Sequence, residues 1–551
     1  MFLSNWVYKV YDMKTFLIII LYCFFINLHI YSQTPGWTWA QRAGSEYYDF
    51  VNYINCDLYG NVYLLGQAGD YITFDTVNTN IHDGLFLSKF SSSGQFQWAV
   101  PPVNDSLSFH TSITVRNNNL FLPGGYNLDS SVFFGGDTLF GRGISIMKYD
   151  LNGNLFFIKN LGVIDNYQSQ GRVYIKHIKF DHQNNIIIAG QMDDGINDEL
   201  TTLTIGSFQL STIDNWDDIF IAKYDSLYNP VWAKKAGGIK NDEINDITLD
   251  SYGNIYLTGY FMSPVISFDS ITLNKIGTYD PYIVKYDSNG NVLWALNFGG
   301  IGPDFSDHVV CDNDGNIYLS GDFENDTLHF SSFSLIDSSG NSGAGSSFLV
   351  KLDSSGNSLW GKSYSHNTII LEDMVVDSNN NILITGLYNG TTFISCYNSS
   401  GDSLWTVHAL CGGSKKIASD VSRNIVIAGT FGDSCVFGAD TIVNVLPGGM
   451  WEDIFIAKLS NSGSGVNFED DNNSISIFPN PSSEFLSIIF KKNISDQTKL
   501  NIVITDISGR IIQCTTIRNK DLLNISSLPS GIYIIKVINN NDVAMGKFIK
   551  Q

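Results

Sequence analysis

An all-β protein is what this sequence predicts, on three observations. Phe (36), Tyr (27), Trp (10) and Gly (50) are abundant in 551 residues, a composition that suits pleated strands and tight turns rather than helices. A Gly/aromatic phrase recurs along most of the chain. Within each copy, short alternating apolar runs are separated by Asn-Gly-type turns, the pattern of antiparallel hairpins.

Composition also narrows the function. Hydrophobic residues make up 44 % of the chain, too many for a disordered polymer. The formal net charge is −22, which opposes sequence-independent attraction to nucleic acid or anionic lipid. No nucleic-acid partner is expected.

The first element is an export signal. Residues 13–33 read MKTFLIIILYCFFINLHIYSQ: one Lys, an apolar run of about ten residues, then a polar end with a small residue, Ser32. This places a signal peptide at 1–32, with the true start at Met13. Cys23 has no lipobox around it. No later stretch reaches the ~18 apolar residues of a membrane span, so the mature chain is expected to lack one. The six other cysteines (Cys56, Cys311, Cys396, Cys411, Cys435, Cys514) have irregular spacing and no CxxC pair. That argues against zinc, permits disulfides after export, and leaves their pairing open.

Residues 33–460 carry the repeats. One phrase appears as DLYGNVYLLG from Asp57, DHQNNIIIAG from Asp181, DSYGNIYLTG from Asp250, DNDGNIYLSG from Asp312, DSNNNILITG from Asp377 and DVSRNIVIAG from Asp420, with a degenerate copy ending at Gly124. A second phrase follows, a strand bearing Lys near its end, a turn and an aromatic, as in YIVKYDSNGNVLW up to Trp294. Each unit thus holds four short strands, which is the composition of a β-propeller blade. The last copy of the second phrase lacks its aromatic strand, and WTWAQRAG with Trp39 precedes the first repeat. The N-terminal strand therefore completes the last blade, giving a closed seven-bladed ring without a free edge. The short sixth repeat leaves six blades with an imperfect module as the alternative count.

A Gly/Ser/Asn/Asp linker is expected at 461–474. Residues 475–551 change pattern to about six strands with turns at Ser508-Gly509 and Pro529-Ser530-Gly531, a small β-sandwich. The charge divides with the domains: residues 475–551 carry nine basic and five acidic residues, so the chain's excess of acid over base resides in the propeller.

Two resemblances rest on these residues. The pattern in GGIKNDEINDITLDSYGNIYLTG from Gly237 resembles the SBBP β-propeller repeats of bacterial secreted proteins, over about residues 37–460 and most clearly in repeats one, four and five. The C-terminal segment resembles the type A sorting domain of the type IX secretion system through Pro479, Asn480, Pro481, Asp506, Gly509, Leu528, Gly531, Tyr533, Lys547 and Lys550. This second resemblance implies a Bacteroidota source, the type IX machinery as a partner, and a chain that is secreted or held on the outer cell surface.

Candidate site residues follow from position. The Asp opening each hairpin is expected to bond the amides of its own turn. The third-strand lysines (Lys89, Lys148, Lys223, Lys285, Lys351, Lys458) are expected to pair locally or reach between blades. The aromatics are expected to pack blade on blade. Asp49, Asp242 and Asp304 each lie eight residues before a hairpin Asp, in loops leading to the innermost strand, and are the candidates for a channel-mouth binding site. Candidate ligands of a hard cation are Asp312 and Asp314, which resemble the start of a calcium loop, and the acidic insertion with Asp193, Asp194, Asp198 and Glu199. Calcium is the cation such oxygen ligands would suit; no cofactor is otherwise predicted. No HExxH or GxSxG motif is present and no Cys/His dyad is evident, so no catalytic residue is assigned. The expected role is binding of an extracellular glycan or protein. The alternatives are an enzyme acting on polysaccharide or peptide, or a structural component of the cell surface.

Overall fold

The computed structural model describes residues 35–550 apart from 82–83, 102–111, 135–136, 166–170, 194–199, 215, 325–326, 338, 340–344, 461–474, 479–484, 491–498, 507–510, 519–521, 530 and 540–541. The expected signal peptide and linker lie outside the described residues. Among the described residues there is no helix, and so none long and apolar enough to cross a membrane. The chain divides into a compact unit at 34–461 and a second that holds 462–551.

The larger unit is a β-propeller. Each repeat is one antiparallel sheet. The first comprises Phe50–Cys56, Val62–Ala68, Gly84–Phe90 and Phe96–Val100. The second comprises Thr114–Arg116, Asn119–Phe134, Asp137–Asp150 and Leu155–Ile164. Next come Arg172–Phe180, Ile186–Asp193, Asp218–Tyr224 and Pro230–Gly237, then Asp242–Leu249, Ile255–Phe261, Asp280–Tyr286 and Val292–Asn297. These are followed by Asp304–Cys311, Ile317–Phe323, Ser346–Leu352 and Ser358–Ser365, and by Ile369–Val376, Ile382–Tyr388, Thr391–Tyr397 and Ser403–Ala409. The last sheet joins Ser414–Ser419, Ile425–Phe431 and Asp453–Ser460 to Gly36–Gly44 from the N-terminal side. The register runs from Gly36↔Ser460 to Ala43↔Ile454. The first strands pack on one another in cyclic order, and that of the last sheet returns to that of the first.

Second strands carry a nearly apolar run because neighbouring sheets cover both faces: VYLL, IIIA, IYLT, IYLS and IVIA are buried without a break. Burial of each large side chain among them, such as Tyr63, Tyr256 and Tyr318, contributes roughly 2 kcal/mol. The short sixth repeat still forms a full sheet. Its second and third strands are joined by Asn389-Gly390, both at positive φ (49° and 78°), the signature of a two-residue hairpin turn.

Lys and aromatic phrases form the seam between sheets. Lys89, Lys223, Lys285, Lys351 and Lys458 are cross-strand partners of Trp98, Trp232, Trp294, Trp360 and Trp39. Both members of each pair donate to the outer turn of the next sheet. Lys285 Nζ and Trp294 Nε1 reach Ser354 O at 2.9 and 3.3 Å, and Lys223 and Trp232 reach Ser288 O at 3.1 and 3.3 Å. At the ring closure Lys458 donates to Gly60 O at 3.2 Å and Trp39 to Ser92 O at 3.1 Å. The receiving turn needs glycine. At Gly290 φ is +82°, and a Cβ would lie 2.8 Å from the Trp232 ring. Where the aromatic is the smaller Phe157, the corresponding turn residue is Tyr228, which packs edge-on against it at 5.3 Å.

The hairpin Asp residues also meet the sequence expectation. Asp250 Oδ1 accepts from the amides of Tyr252 and Asn254, and Oδ2 from Asn254 Nδ2 at 2.7 Å. The same three bonds recur at Asp57, Asp181, Asp312, Asp377 and Asp420. Third-strand lysines approach the same carboxylates, Lys223–Asp181 at 3.0 Å and Lys458–Asp420 at 2.9 Å.

A further hairpin between the second and third strands often docks on the preceding sheet, as Thr73–Phe74 does on Ala43-Gly44 and Val265–Phe268 on Ala236-Gly237. At the last sheet a disulfide stands at this junction. Cys411 follows the outer strand Ser403–Ala409, and Cys435 lies in the hairpin strand Ser434–Phe437. Cys56, Cys311 and Cys396 are free thiols in strands.

The C-terminal unit holds two sheets. One orders Ile475–Phe478, Phe485–Phe490 and Leu522–Asn524; the other orders Ile511–Arg518, Lys499–Asp506, Gly531–Asn539 and Asp542–Lys550. Leu522–Asn524 is a seventh strand beyond the six expected. Three residues are too short to show alternation, and pairing with Phe485–Ser487 defines it. The core contains Leu486, Leu500, Ile502, Leu528, Tyr533 and Ile535.

Candidate functional site: the channel and its mouth

Nearly every innermost strand carries a β-bulge at the same place. Register shifts fall between Val51 and Tyr53, Ile175 and His177, Ile244 and Asp246, Ser306 and His308, Leu371 and Asp373, and Ser414 and Lys416. The skipped residues are Asn52, Lys176, Asn245, Asp307, Glu372 and Lys415, every one polar. A bulge adds one residue to a strand and re-aims its side chain. Asn245, Asp307, Glu372 and Lys415, together with Phe50, Val51 and Lys416, line one cavity of about 630 Å³ between the innermost strands. That volume is within the range of small-ligand sites.

The residue after the bulge forms a second belt. His177 Nδ1 lies 3.4 Å from Asp246, His308 Nδ1 lies 4.0 Å from Asp246 and 3.5 Å from Asp373. Asp246 and Asp373 also accept the amides of Val309 and Ile417 on the next sheet, at 3.1 and 2.9 Å. Burial holds His177 down to about 4 against the pull of Asp246, so it is neutral at pH 7. Burial raises Asp307 to about 6, reinforced by the nearby Asp322 carboxylate. Glu372 pairs with Lys415. Sequence reasoning missed these residues. The available signal was a polar residue three positions after Asp49, Asp242 and Asp304, which interrupts the alternation of the strand.

The three channel-mouth candidates themselves are fully buried. Asp49 accepts Ser45 N at 2.7 Å, Ser45 Oγ at 2.8 Å and Gly69 N at 3.2 Å. Asp242 accepts Ser263 Oγ at 2.7 Å and the amides of Met262 and Ser263, and Asp304 accepts Gly300 N at 2.6 Å. Burial raises Asp49 and Asp242 to about 6. All three tie loops by their backbone. A parallel set opens the third strands: Asp218, Asp280 and Asp453 accept amides of Ile213, Gly277 and Val445. Burial raises Asp453 to about 7.

These loops are stitched sheet to sheet. The amides of Asp49, Asp242 and Asp304 donate to the carbonyls of Glu452, Asp217 and Tyr279, each the residue before a third-strand Asp. At the first seam the stitch gathers aromatics: Tyr48 meets Trp451 edge-on at 4.4 Å and stacks with Phe50 at 6.1 Å, and Tyr47 lies 5.7 Å from Trp451. Tyr47, Tyr48 and Phe50 are 51, 43 and 50 % exposed. Phe50 and Glu452 also line the cavity. At the third seam Tyr260, Tyr279 and Phe305 cluster within 4.9–5.6 Å.

Among the described residues, no group of three or more His, Cys, Asp or Glu is placed to hold a metal ion. Asp312 is engaged with its own turn and with Tyr318 Oη at 3.0 Å, and Asp314 accepts Asn380 Nδ2 at 2.8 Å. Asp193 ends a strand; Asp194, Asp198 and Glu199 lie outside the described residues. Ser347, His366 and Asp322 adjoin, but Ser347 Oγ and Asp322 Oδ1 both lie 3.0 Å from the same nitrogen, His366 Nε2. One nitrogen cannot relay a proton from hydroxyl to carboxylate, so this is not the hydroxyl–imidazole–carboxylate chain of nucleophilic catalysis.

Of the sorting motif, Leu528 and Tyr533 are core residues, and Tyr533 Oη donates to Pro529 O at 2.9 Å. Gly531 opens a strand, Lys547 lies in the last strand, and Lys550 is buried at its end. Pro479, Asn480, Pro481 and Gly509 lie outside the described residues.

Several known proteins are similar to this chain. An uncharacterised WD repeat-containing protein of Acanthamoeba polyphaga mimivirus is 25 % identical over 533 residues, covering 82 % of this chain and 38 % of that protein. The regulatory protein FlaEY of Caulobacter vibrioides is 23 % identical over 293 residues, covering 49 % of this chain and 29 % of that protein. The chain therefore spans well under half the length of these relatives. Among solved structures, the Dos1 propeller aligns with a TM-score of 0.41 at 8 % identity, covering 78 % of this chain and 95 % of that one. Hydrazine synthase of Kuenenia stuttgartiensis aligns at 0.39 and 9 % identity, covering 73 and 97 %. Residues 231–260 match the family described as a beta-propeller repeat, SBBP, and residues 476–551 match the secretion system C-terminal sorting domain. The chain thus carries an SBBP β-propeller repeat followed by a type IX sorting domain that directs export to the cell surface or beyond.

Proposed function

We propose that this is an extracellular binding protein of a Bacteroidota-type bacterium: a ring of seven blades, exported after removal of its signal peptide, that presents a ligand site at the mouth of its channel. The match of residues 476–551 to the sorting domain carries the export part of this reading. The bulge-lined cavity, with polar groups converging among apolar ones, supports the binding part. Deleting residues 475–551 in the producing bacterium tests the first part. The truncated propeller is expected to stay in the periplasm, and its appearance at the cell surface would overturn the assignment. The ligand is an extracellular glycan or protein.

A further inference from the structure

We infer that the aromatic seams around the channel mouth form a binding face for a neutral or amine-bearing polysaccharide, with stations at Tyr48/Phe50/Trp451, Trp216 and Tyr279/Phe305. This deepens the binding reading above and rests on it.

The stations recur at one place in the repeat. Trp451 and Trp216 stand two residues before a third-strand Asp, and Tyr279 stands one before. In each case the loop is stitched to the next innermost strand through the carbonyl of Glu452, Asp217 or Tyr279. The rings are therefore held by the fold before any ligand arrives. Asp49 shows how: its carboxylate pins Ser45 and Gly69 while its amide holds Glu452, which fixes Tyr47 and Tyr48 between them. Asp49 is a positioning residue here, not a ligand group. Preformed sites avoid the ordering cost of binding.

Ring exposure beside the cavity argues for a ligand. Tyr47, Tyr48, Phe50 and Trp216 are 43–51 % exposed, and Phe50 stands in the cavity wall itself. A protein partner calls for a contiguous apolar centre sealed by a polar rim. These rings instead occur singly or in small groups on the loops that lead to the innermost strands, and Phe50 joins Asp307, Glu372, Glu452, Lys415 and Lys416 in the lining of the cavity. A pyranose chain has the matching character: apolar C–H faces for the rings and hydroxyl donors for the carboxylates, alternating every few ångströms. Several spaced stations suit an extended polymer better than a monosaccharide. The propeller's excess of acid, part of a chain charge of −22, repels polyanions and so selects against uronate-rich or sulfated chains.

The test uses the mature full chain in affinity gel electrophoresis through xylan, mannan, β-glucan, chitosan and, as the anionic control, alginate. Retardation by at least one of the first four and not by alginate is expected. Phe50→Ala and Trp451→Ala should each weaken it at least tenfold with the melting temperature little changed, because Phe50 is half exposed at the first residue of its strand and Trp451 stands in a loop outside the core clusters. Trp216→Ala should weaken binding to the polymer more than to its tetrasaccharide. No retardation by any polymer, retardation only by alginate, or retardation indifferent to all three substitutions would overturn the inference. The first of these results would favour a protein ligand on the same face. None would touch the export assignment, which the tail deletion reads separately.

Discussion

Lys458→Met probes the seam that closes the ring. Lys458 and Asp420 are a buried ion pair at 2.9 Å, with side chains 6 and 2 % exposed. Removing one partner of such a pair typically costs ~3–5 kcal/mol, because a charge is left uncompensated. Asp420 keeps the amides of Ser422 and Asn424 and the Asn424 side chain, which reduces the cost. Against that, Gly60 O loses its lysine donor. The balance is a loss of about 2–3 kcal/mol, and methionine retains most of the stem volume. Urea unfolding of the mature protein at pH 7 measures it. Lys223→Met, at an interior seam where the lysine lies 3.0 Å from Asp181 and donates to Ser288 O, should cost a similar amount. The double variant with Asp420→Asn should recover at least a third of the loss, since the carboxylate no longer needs its cation. A pH series adds a signature. Burial pushes Asp420 up, but Asn424 and Lys458 outweigh it and hold it below the ordinary 3.8. The pair's stabilisation is therefore present above pH 3.8 and fades as pH falls through the depressed value. The gap between wild type and Lys458→Met should close on the acid side. A loss under ~1 kcal/mol, or no coupling to Asp420, would refute the view that these lysines fasten the ring.

Two further expectations follow from burial. Asp49, Asp242 and Asp307 are raised to about 6 and Asp453 to about 7, so the folded state binds protons that the unfolded state has already released. Their penalty grows as pH rises from about 4 to 7, and the melting temperature should be higher at pH 5 than at pH 7.5. Asp453→Asn should flatten that slope, and a melting temperature that climbs steadily to pH 7.5 would contradict it. The disulfide Cys411–Cys435 closes a separation of 24 residues and should contribute about 3 kcal/mol, read as the loss on replacing both cysteines by serine. Cys56, Cys311 and Cys396, raised by burial to about 12, should resist iodoacetamide at pH 8 until the protein is unfolded, as peptide mapping by mass would show.

The repeat grammar was legible because each residue in it serves its own unit. The hairpin Asp bonds its own turn, the second strand is buried on both faces in every sheet, and the Trp–Lys phrase meets the same turn each time. The missing outer strand could be assigned to WTWAQRAG because a propeller that lacks one strand leaves an edge unpaired. What repetition concealed was the variation within it. Asn52, Lys176, Asn245, Asp307, Glu372 and Lys415 differ in type, so no consensus marks them, and only the shared bulge shows that they are equivalent. Asn52, Asn245 and Asp307 lie three residues after Asp49, Asp242 and Asp304, where the pattern of the repeat marks the shared Asp and not the varied residue. Burial shows that these Asp residues hold loops.

The sequence by itself determined the fold class, the order of strands in each unit, the N-terminal closure and the sorting tail. These depend on local alternation, turn chemistry and short motifs, which a linear chain records directly. Only the tertiary structure decided which residues meet. Cys411 and Cys435 pair because a hairpin of the last sheet docks on the outer strand of the one before. Tyr48 reaches Trp451 across about 400 residues of chain because closing the ring brings the first loop against the last. The channel cavity exists because bulged strands from opposite ends of the sequence converge on one axis. Such contacts follow from the closure of the ring as a whole, and no local pattern in the chain encodes them.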